Sequence, residues 1–511
     1  MNSSASGGGP VVRVPGDCFE LPAVDVALVM ESTYPFLKGG LSGVVHDLIV
    51  AHPDIRFGII FTTWDSSAEL SPQYPVPGNV EWVDVQYLAF TEHREAFTAA
   101  VQAGTDGQAE RQAQLLIDAL TSLHRHHDTQ AWWDLYDHAS SLWPALRSRT
   151  FMDAAVAYCG DVPLGTLFWT SRDFFSLLFA LLERPYPEAT VYHAHTTGYA
   201  GLIAAVASRQ HPGSKYVQSE HNLYARDAVN TVLGRRSDHT VTLDTVAQVS
   251  DPVKRAWVWW YTRLAQITYP EADVLTYLYP SAITEAAALG GVPAKSILIP
   301  NGVDKSRFTA TVQQRGEGPL RVACVARVVP IKAQLDLIDA VAYARELGVD
   351  LRVDLLGPLS HDPDYVHSCR HKVAALGLQG VVRFRGTVDT AAALPDYDLT
   401  VLASHNEGQP LAVMESLVAG VPVVATDVGG VRDLIHDGHQ KPAGGVVPVG
   451  DVRALGNMLC QVSVDKQLRD SWQQAAAARG AAIPDAAEAM AEYGHLYEEC
   501  GVVRARERAH A

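Results

Sequence analysis

Short apolar runs of strand length recur along the chain with helix-length stretches between them, and this rhythm is the tightest constraint on what the chain can fold into. The runs cover residues 24–30, 56–61, 215–219, 273–277, 320–325, 351–356, 399–403 and 421–426. Several are continuously apolar rather than alternating, as parallel strands are when helices cover both faces. Between two of them, residues 333–347 place Leu335, Ile338, Val341 and Ala342 on one helical face and stop at Gly348, a residue suited to a helix C-terminus. The repeating unit is β-α, and the expected fold class is α/β with doubly wound parallel sheets.

At 511 residues the chain exceeds the length at which single cores split, so two such domains are expected. The series restarts near Pro300-Asn301-Gly302-Val303-Asp304, and the polar segment 313–318 has linker composition. The expected organisation is a flexible tail over 1–20, a first domain over 21–300, a second over 301–480 and a helical segment over 481–511 that crosses back to the first. Residues 91–179 break the rhythm; largely helical, with His124, His126, His127, Trp132 and Trp133, they read as an insertion in the first domain. The group Trp257, Trp259, Trp260 and Tyr261 reads as a helix packed on that domain, and Arg504, Arg506 and Arg508 as a solvated helix end.

Composition narrows the function classes. Acidic side chains number 57 against 40 basic ones, and the net charge of −17 repels nucleic acid and anionic membrane. The start carries no basic and apolar leader pattern, and charges or glycines interrupt every apolar stretch short of the roughly 20 residues of a membrane span, so a soluble cytoplasmic protein is expected. The six cysteines show no Cys-x-x-Cys spacing and read as reduced structural thiols. No Cys or carboxylate partner stands at zinc spacing from the histidines, so no metal site is expected.

Four segments carry the chemistry. In Glu407-Gly408-Gln409-Pro410-Leu411-Ala412-Val413-Met414-Glu415, Pro410 suits a first helical turn, which puts Glu407 in the loop ahead of a helix and Glu415 inside it. The free N–H groups between them suit a diphosphate, and the carboxylates suit sugar hydroxyls. The plain alternative is a solvated loop Glu and a helix-surface Glu. Arg327 and Lys332 follow the run 320–325; a planar fork and a point charge there suit phosphate oxygens, against the alternative of two exposed turn residues. Gly39 and Gly40, in the loop that begins at Glu31, allow close backbone approach, although glycine-rich turns are often only turns. That loop lacks the spacing of a nucleoside-triphosphate or dinucleotide loop. His193, His195 and His221 stand at strand ends, where an imidazole suits a sugar or acceptor hydroxyl as well as a plain structural role.

Together and in this order, these segments resemble the family-4 glycosyltransferases, retaining enzymes of GT-B architecture with two Rossmann-like domains facing a cleft. Within that family the chain looks most like the group containing the Pel exopolysaccharide glycosyltransferase (PelF), on Glu31 to Gly40, Thr197-Gly198-Tyr199-Ala200-Gly201, Glu220 to Arg226, Pro300 to Asp304, Arg327 to Lys332 and Glu407 to Gly430. Ser32 and Ala326 stand where that pattern has Gly, Asn222 replaces a Gly, and Ala228 stands where a basic residue is usual.

The resemblance implies metal-independent transfer of a hexose from a nucleoside diphosphate sugar, with a UDP-sugar the expected donor, to a hydroxyl with retention. It implies His221 and Glu407 as catalytic residues, and Gly39, Gly40, Arg327, Lys332, Glu407, Gly408, Leu411 and Glu415 as donor-binding ones. No cofactor beyond the donor is implied. The implied acceptor is a glycan or a small secondary metabolite, the insertion shaping its side, and an association with a membrane export complex goes with the glycan case. A nucleotide-sugar epimerase of the same fold and a catalytically silent nucleotide-binding subunit are the alternatives.

Overall fold

Burial at successive rather than alternate positions decides where the strands lie: Val26, Ala27, Leu28, Val29 and Met30 are all fully buried, which a strand achieves only with helices on both faces. The computed structural model describes residues 9–67, 69–139, 141–235, 239–308, 318–436 and 441–503. Among these, β1 (Val11–Arg13), β2 (Val24–Glu31), β3 (Phe57–Thr63), β4 (Val80–Tyr87), β5 (Ala189–Ala194), β6 (Lys215–Glu220), β7 (Val274–Tyr277) and β8 (Ser296–Leu298) form one parallel sheet in the order β1-β4-β3-β2-β5-β6-β7-β8. A second parallel sheet holds β9 (Leu320–Val325), β10 (Leu351–Leu356), β11 (Val382–Gly386), β12 (Leu399–Leu402), β13 (Val423–Thr426) and β14 (Gly444–Val447), in the order β11-β10-β9-β12-β13-β14. The chain is thus α/β with two doubly wound domains.

Strands without a continuous apolar run escaped the sequence reading. β11 alternates arginines with apolar residues at a sheet edge, and β14 is short and opens on two glycines. β1 lies inside the stretch expected to be a flexible tail; it pairs with β4, where Arg13 Nε donates to buried Asp84 at 2.8 Å. Helix Gln334–Glu346 buries Leu337, Ile338, Ala340, Val341 and Ala344, while Leu335 and Ala342 are only partly buried. Its inward arc is broader than the sequence pattern because it packs on helix Val452–Val464 as well as on its sheet.

Residues 94–183 build the helical insertion, with helices Arg94–Ala103, Asp106–His126, Thr129–His138, Arg149–Cys159 and Leu164–Glu183. They pack on one face of the first sheet through Leu116, Leu123, Trp132 and Trp133, with Trp132 against Trp260 of helix Pro252–Thr268. The opposite face is covered partly from the far end of the chain: helix Ala486–Glu499 brings Met490, Tyr493, Leu496 and Tyr497 into the core beside Val26, Leu28 and Phe57. Asp485 caps that helix with a reciprocal Glu488 bond, and His52 Nε2 lies 2.9 Å from the Met490 carbonyl. Of the expected linker 313–318 only Gly318 falls among the described residues, and the first eight residues and Arg504, Arg506 and Arg508 lie outside them.

Candidate active site

Each sheet reverses its strand order near its middle, between β2 and β5 in the first and between β9 and β12 in the second. Loops leaving the carboxyl ends of strands at such a reversal diverge and leave a crevice for ligands. The segments singled out from sequence leave from these strands. Gly39 and Gly40 follow β2, His195 follows β5, Arg327 and Lys332 follow β9, and Glu407 and Gly408 follow β12.

Lys332 closes the short turn Pro330–Lys332 and its Nζ lies 2.5 Å from Glu407 Oε1, with the two side chains 19% and 10% exposed. The reading of Glu407 as a solvated loop residue therefore fails. Arg327 is exposed, and Gln334 Nε2 donates to its carbonyl at 2.8 Å. Pro410 caps helix Leu411–Val418 rather than entering its first turn, and the first-turn N–H groups at Leu411 point out of a helix start without an acidic residue. Glu415 is half-buried in that helix; burial pushes its carboxyl up, partly offset by Thr390 and Arg307. A Cβ at Gly39 or Gly40 would meet nothing within 4 Å, so the fold leaves open space in front of the helix Gly40–Ala51. Ser32, where glycine was expected, has φ +48° and occupies the left-handed region that glycine favours.

Gly408 carries the contact between the domains. A Cβ there would fall 1.9 Å from the His221 carbonyl oxygen, and Gly430 N donates to the Gly408 carbonyl at 2.7 Å. Around it, Asn406 Nδ2 donates to Asp227 Oδ1 at 2.6 Å and Gln409 Nε2 to the Leu278 carbonyl at 3.0 Å. Asn301 N donates to Gln409 Oε1 at 2.8 Å, tying the domain junction to the same loop. Asn406, Gln409 and Asp227 were missed as site-forming residues, since amide and carboxylate side chains in loops look alike until their partners are known.

His221 faces a file of imidazoles. Its Nε2 lies 2.9 Å from His195 Nδ1, the His195 and His193 ring centroids are 4.1 Å apart, and His193 reaches the Tyr497 hydroxyl and Ser219 Oγ at 2.7 Å each. Burial lowers all three pKa values, to about 4 for His221, to about 3 for His193 and well below the ordinary value for His195, so the rings are neutral. A neutral His221 serves as a hydrogen-bond partner, not as a fixed cation. Beside it, burial pushes Glu220 up to about 8 while Tyr269 Oη donates to it at 3.0 Å, and Glu31, also raised by burial, accepts from Tyr224 Oη at 3.1 Å. Among the described residues no group of three or more His, Cys, Asp and Glu is arranged to hold a metal ion, and no helix is long and apolar enough to cross a membrane.

Residues 24–294 match the family described as a domain of unknown function (DUF3492), and residues 319–465 match glycosyl transferases group 1. A D-inositol 3-phosphate glycosyltransferase of Geodermatophilus obscurus is 30% identical over 226 residues, 40% of this chain and 50% of that protein. Another from Actinosynnema mirum is 33% identical over 193 residues, 34% of this chain and 43% of that protein. The chain thus spans about half the length of the curated relatives it matches. The structure of Anabaena Alr3699/HepE in complex with UDP and glucose has a TM-score of 0.54 at 17% identity, over 93% of this chain and 99% of that one. That likeness establishes the GT-B fold for the two facing domains. The DUF3492 match spans more than half of the sequence, and the chain belongs to that family, with a glycosyl transferases group 1 region as its second domain.

Proposed function

We propose that the protein is a retaining glycosyltransferase that moves a hexose from a UDP-sugar to a hydroxyl acceptor. The observation that carries this reading is the Lys332–Glu407 pair, which joins the loops that follow β9 and β12, with exposed Arg327 on the first loop and the start of helix Leu411–Val418 after the second. Two cations and a helix start can neutralise a departing diphosphate without a metal. In this reading the bond from the anomeric carbon to the β-phosphate oxygen breaks and its electron pair leaves with UDP. The acceptor oxygen bonds to the same face, and its proton passes to the leaving phosphate. Glu407 orients the sugar, Glu415 and Leu411 hold the nucleoside end, Gly408 lets the backbone approach, and His221 places the reacting hydroxyl. The glycosyltransferase names of the relatives and the UDP in the Alr3699/HepE complex support this donor class. The acceptor is a glycan or small-metabolite hydroxyl.

The test is calorimetry of the purified chain against UDP, GDP, ADP and dTDP, with and without chelator, followed by turnover of the corresponding sugars. Tight, chelator-insensitive UDP binding and an α-linked product from an α-donor are expected. Failure of every nucleotide to bind would reject the reading.

A further inference from the structure

A cavity of about 520 Å³ lies inside the first domain, away from the crevice, among helices Asp106–His126, Arg149–Cys159, Leu164–Glu183 and Pro252–Thr268. Its wall is mainly apolar and aromatic, with Phe151, Phe174, Phe175, Trp257 and Trp259. One edge is marked by His124 and Tyr158, whose rings lie 5.9 Å apart, with His124 and Arg125 exposed and Tyr158 40% exposed. This apolar volume is within the range of small-molecule pockets, about 300–1,000 Å³, and holds a chain of roughly a dozen carbons.

Cations predominate around that edge. Arg255 and Arg263 lie within electrostatic reach of Tyr158, and Arg263 and Arg125 within reach of His124. Arg263 is 3% exposed; its Nη1 donates to Gln266 Oε1 at 3.0 Å, while its Nε is buried with no hydrogen-bond partner. Asp244 is within electrostatic reach of Arg263, yet among the described residues no carboxylate oxygen comes within ion-pair distance of Arg125, Arg255 or Arg263. A buried cation without a paired anion is costly, and buried Arg263 with part-buried Arg255 and exposed Arg125 gives this edge a local positive charge that suits an external anion.

We propose that this cavity binds a single-chain anionic amphiphile, with its apolar chain against the aromatic wall and its anionic head at Arg125 and Arg255. The site stands apart from sugar transfer and holds whether or not that reading does.

The experiment titrates the full chain with dodecanoate below its micellar concentration, by calorimetry and tryptophan emission, since Trp257 and Trp259 line the cavity. Dodecanol and anionic phospholipid vesicles are the comparators, and UDP affinity is measured in parallel. One-to-one dodecanoate binding with an emission change is expected, at least tenfold tighter than dodecanol. Ala154→Trp, which fills the cavity, is expected to abolish it. The double variant Arg125→Ala/Arg255→Ala, whose changes lie toward the surface and leave the core intact, is expected to weaken it about tenfold. No dodecanoate binding, equal affinity for dodecanol, full binding by the double arginine variant, or binding to vesicles alone overturns the proposal. A UDP response unchanged throughout keeps these outcomes distinct from failure of the donor site.

Discussion

The Gly408 backbone rests against the carbonyl oxygen of His221 so closely that a Cβ at Gly408 would fall 1.9 Å from it. The two residues belong to different domains, and the contact sets how the Glu407 loop meets the first domain. Gly408→Ala must part the domains or shift the loop, and misplacement by about 1 Å costs on the order of a hundredfold in rate. We expect turnover of the donor to fall by about that factor, with UDP affinity less affected. Near-normal turnover would show that the loop position is not critical.

Lys332 and Arg327 differ in setting, and their variants are expected to differ in consequence. Lys332→Ala removes a charged hydrogen bond to a nearly buried Glu407, so both UDP affinity and folding stability drop, the affinity by about 1.5–3 kcal/mol. Arg327→Ala, at an exposed side chain, lowers UDP affinity and leaves the unfolding midpoint in place. Calorimetry and denaturant unfolding on the same two variants separate the effects; equal stability losses would contradict this assignment.

Stability should peak between two titrations of opposite sign. His221 and His193, held neutral to about pH 4 and 3, take up protons near 6.5 only when unfolded. Their stabilisation is complete above 6.5 and is lost as pH falls toward those values, each ring adding a slope of about 1.4 kcal/mol per unit. Glu220, raised from 4.5 to about 8, keeps its proton in the fold after the unfolded chain has lost it. Its contribution is complete below 4.5 and is lost as pH rises through 8. Urea unfolding between pH 5 and 9 is expected to show both arms, with His221→Gln flattening the acid arm and Glu220→Gln the alkaline one. Unaltered slopes in the variants would remove these groups from the account.

Tyr497→Phe tests the returning C-terminal helix. The change deletes the hydroxyl 2.7 Å from His193 Nδ1 and leaves a buried imidazole nitrogen unpartnered, at a cost of about 1–3 kcal/mol. Denaturant midpoints should fall accordingly while UDP affinity stays unchanged. A loss of UDP binding would instead show that the helix governs the relation of the two domains.

The β-α order and the strands β2, β9 and β12 at the sheet reversals were legible in the sequence, because unbroken apolar runs are the local record of strands buried on two faces; β5 was not among those runs and was marked only by the histidines at its end. The positions of Gly39, Arg327, Lys332 and Glu407 just beyond such runs were legible for the same reason: residues past the end of a buried strand enter a loop. Pairing was not. Lys332 and Glu407 are 75 positions apart, His195 and His221 are 26 apart, and His193 and Tyr497 are 304 apart. A residue's type and periodicity report only whether its own side chain is buried. Which partner then satisfies it depends on sheet order, on the return of the last helix and on the close pass of Gly408 beneath His221, and these only the tertiary structure decides.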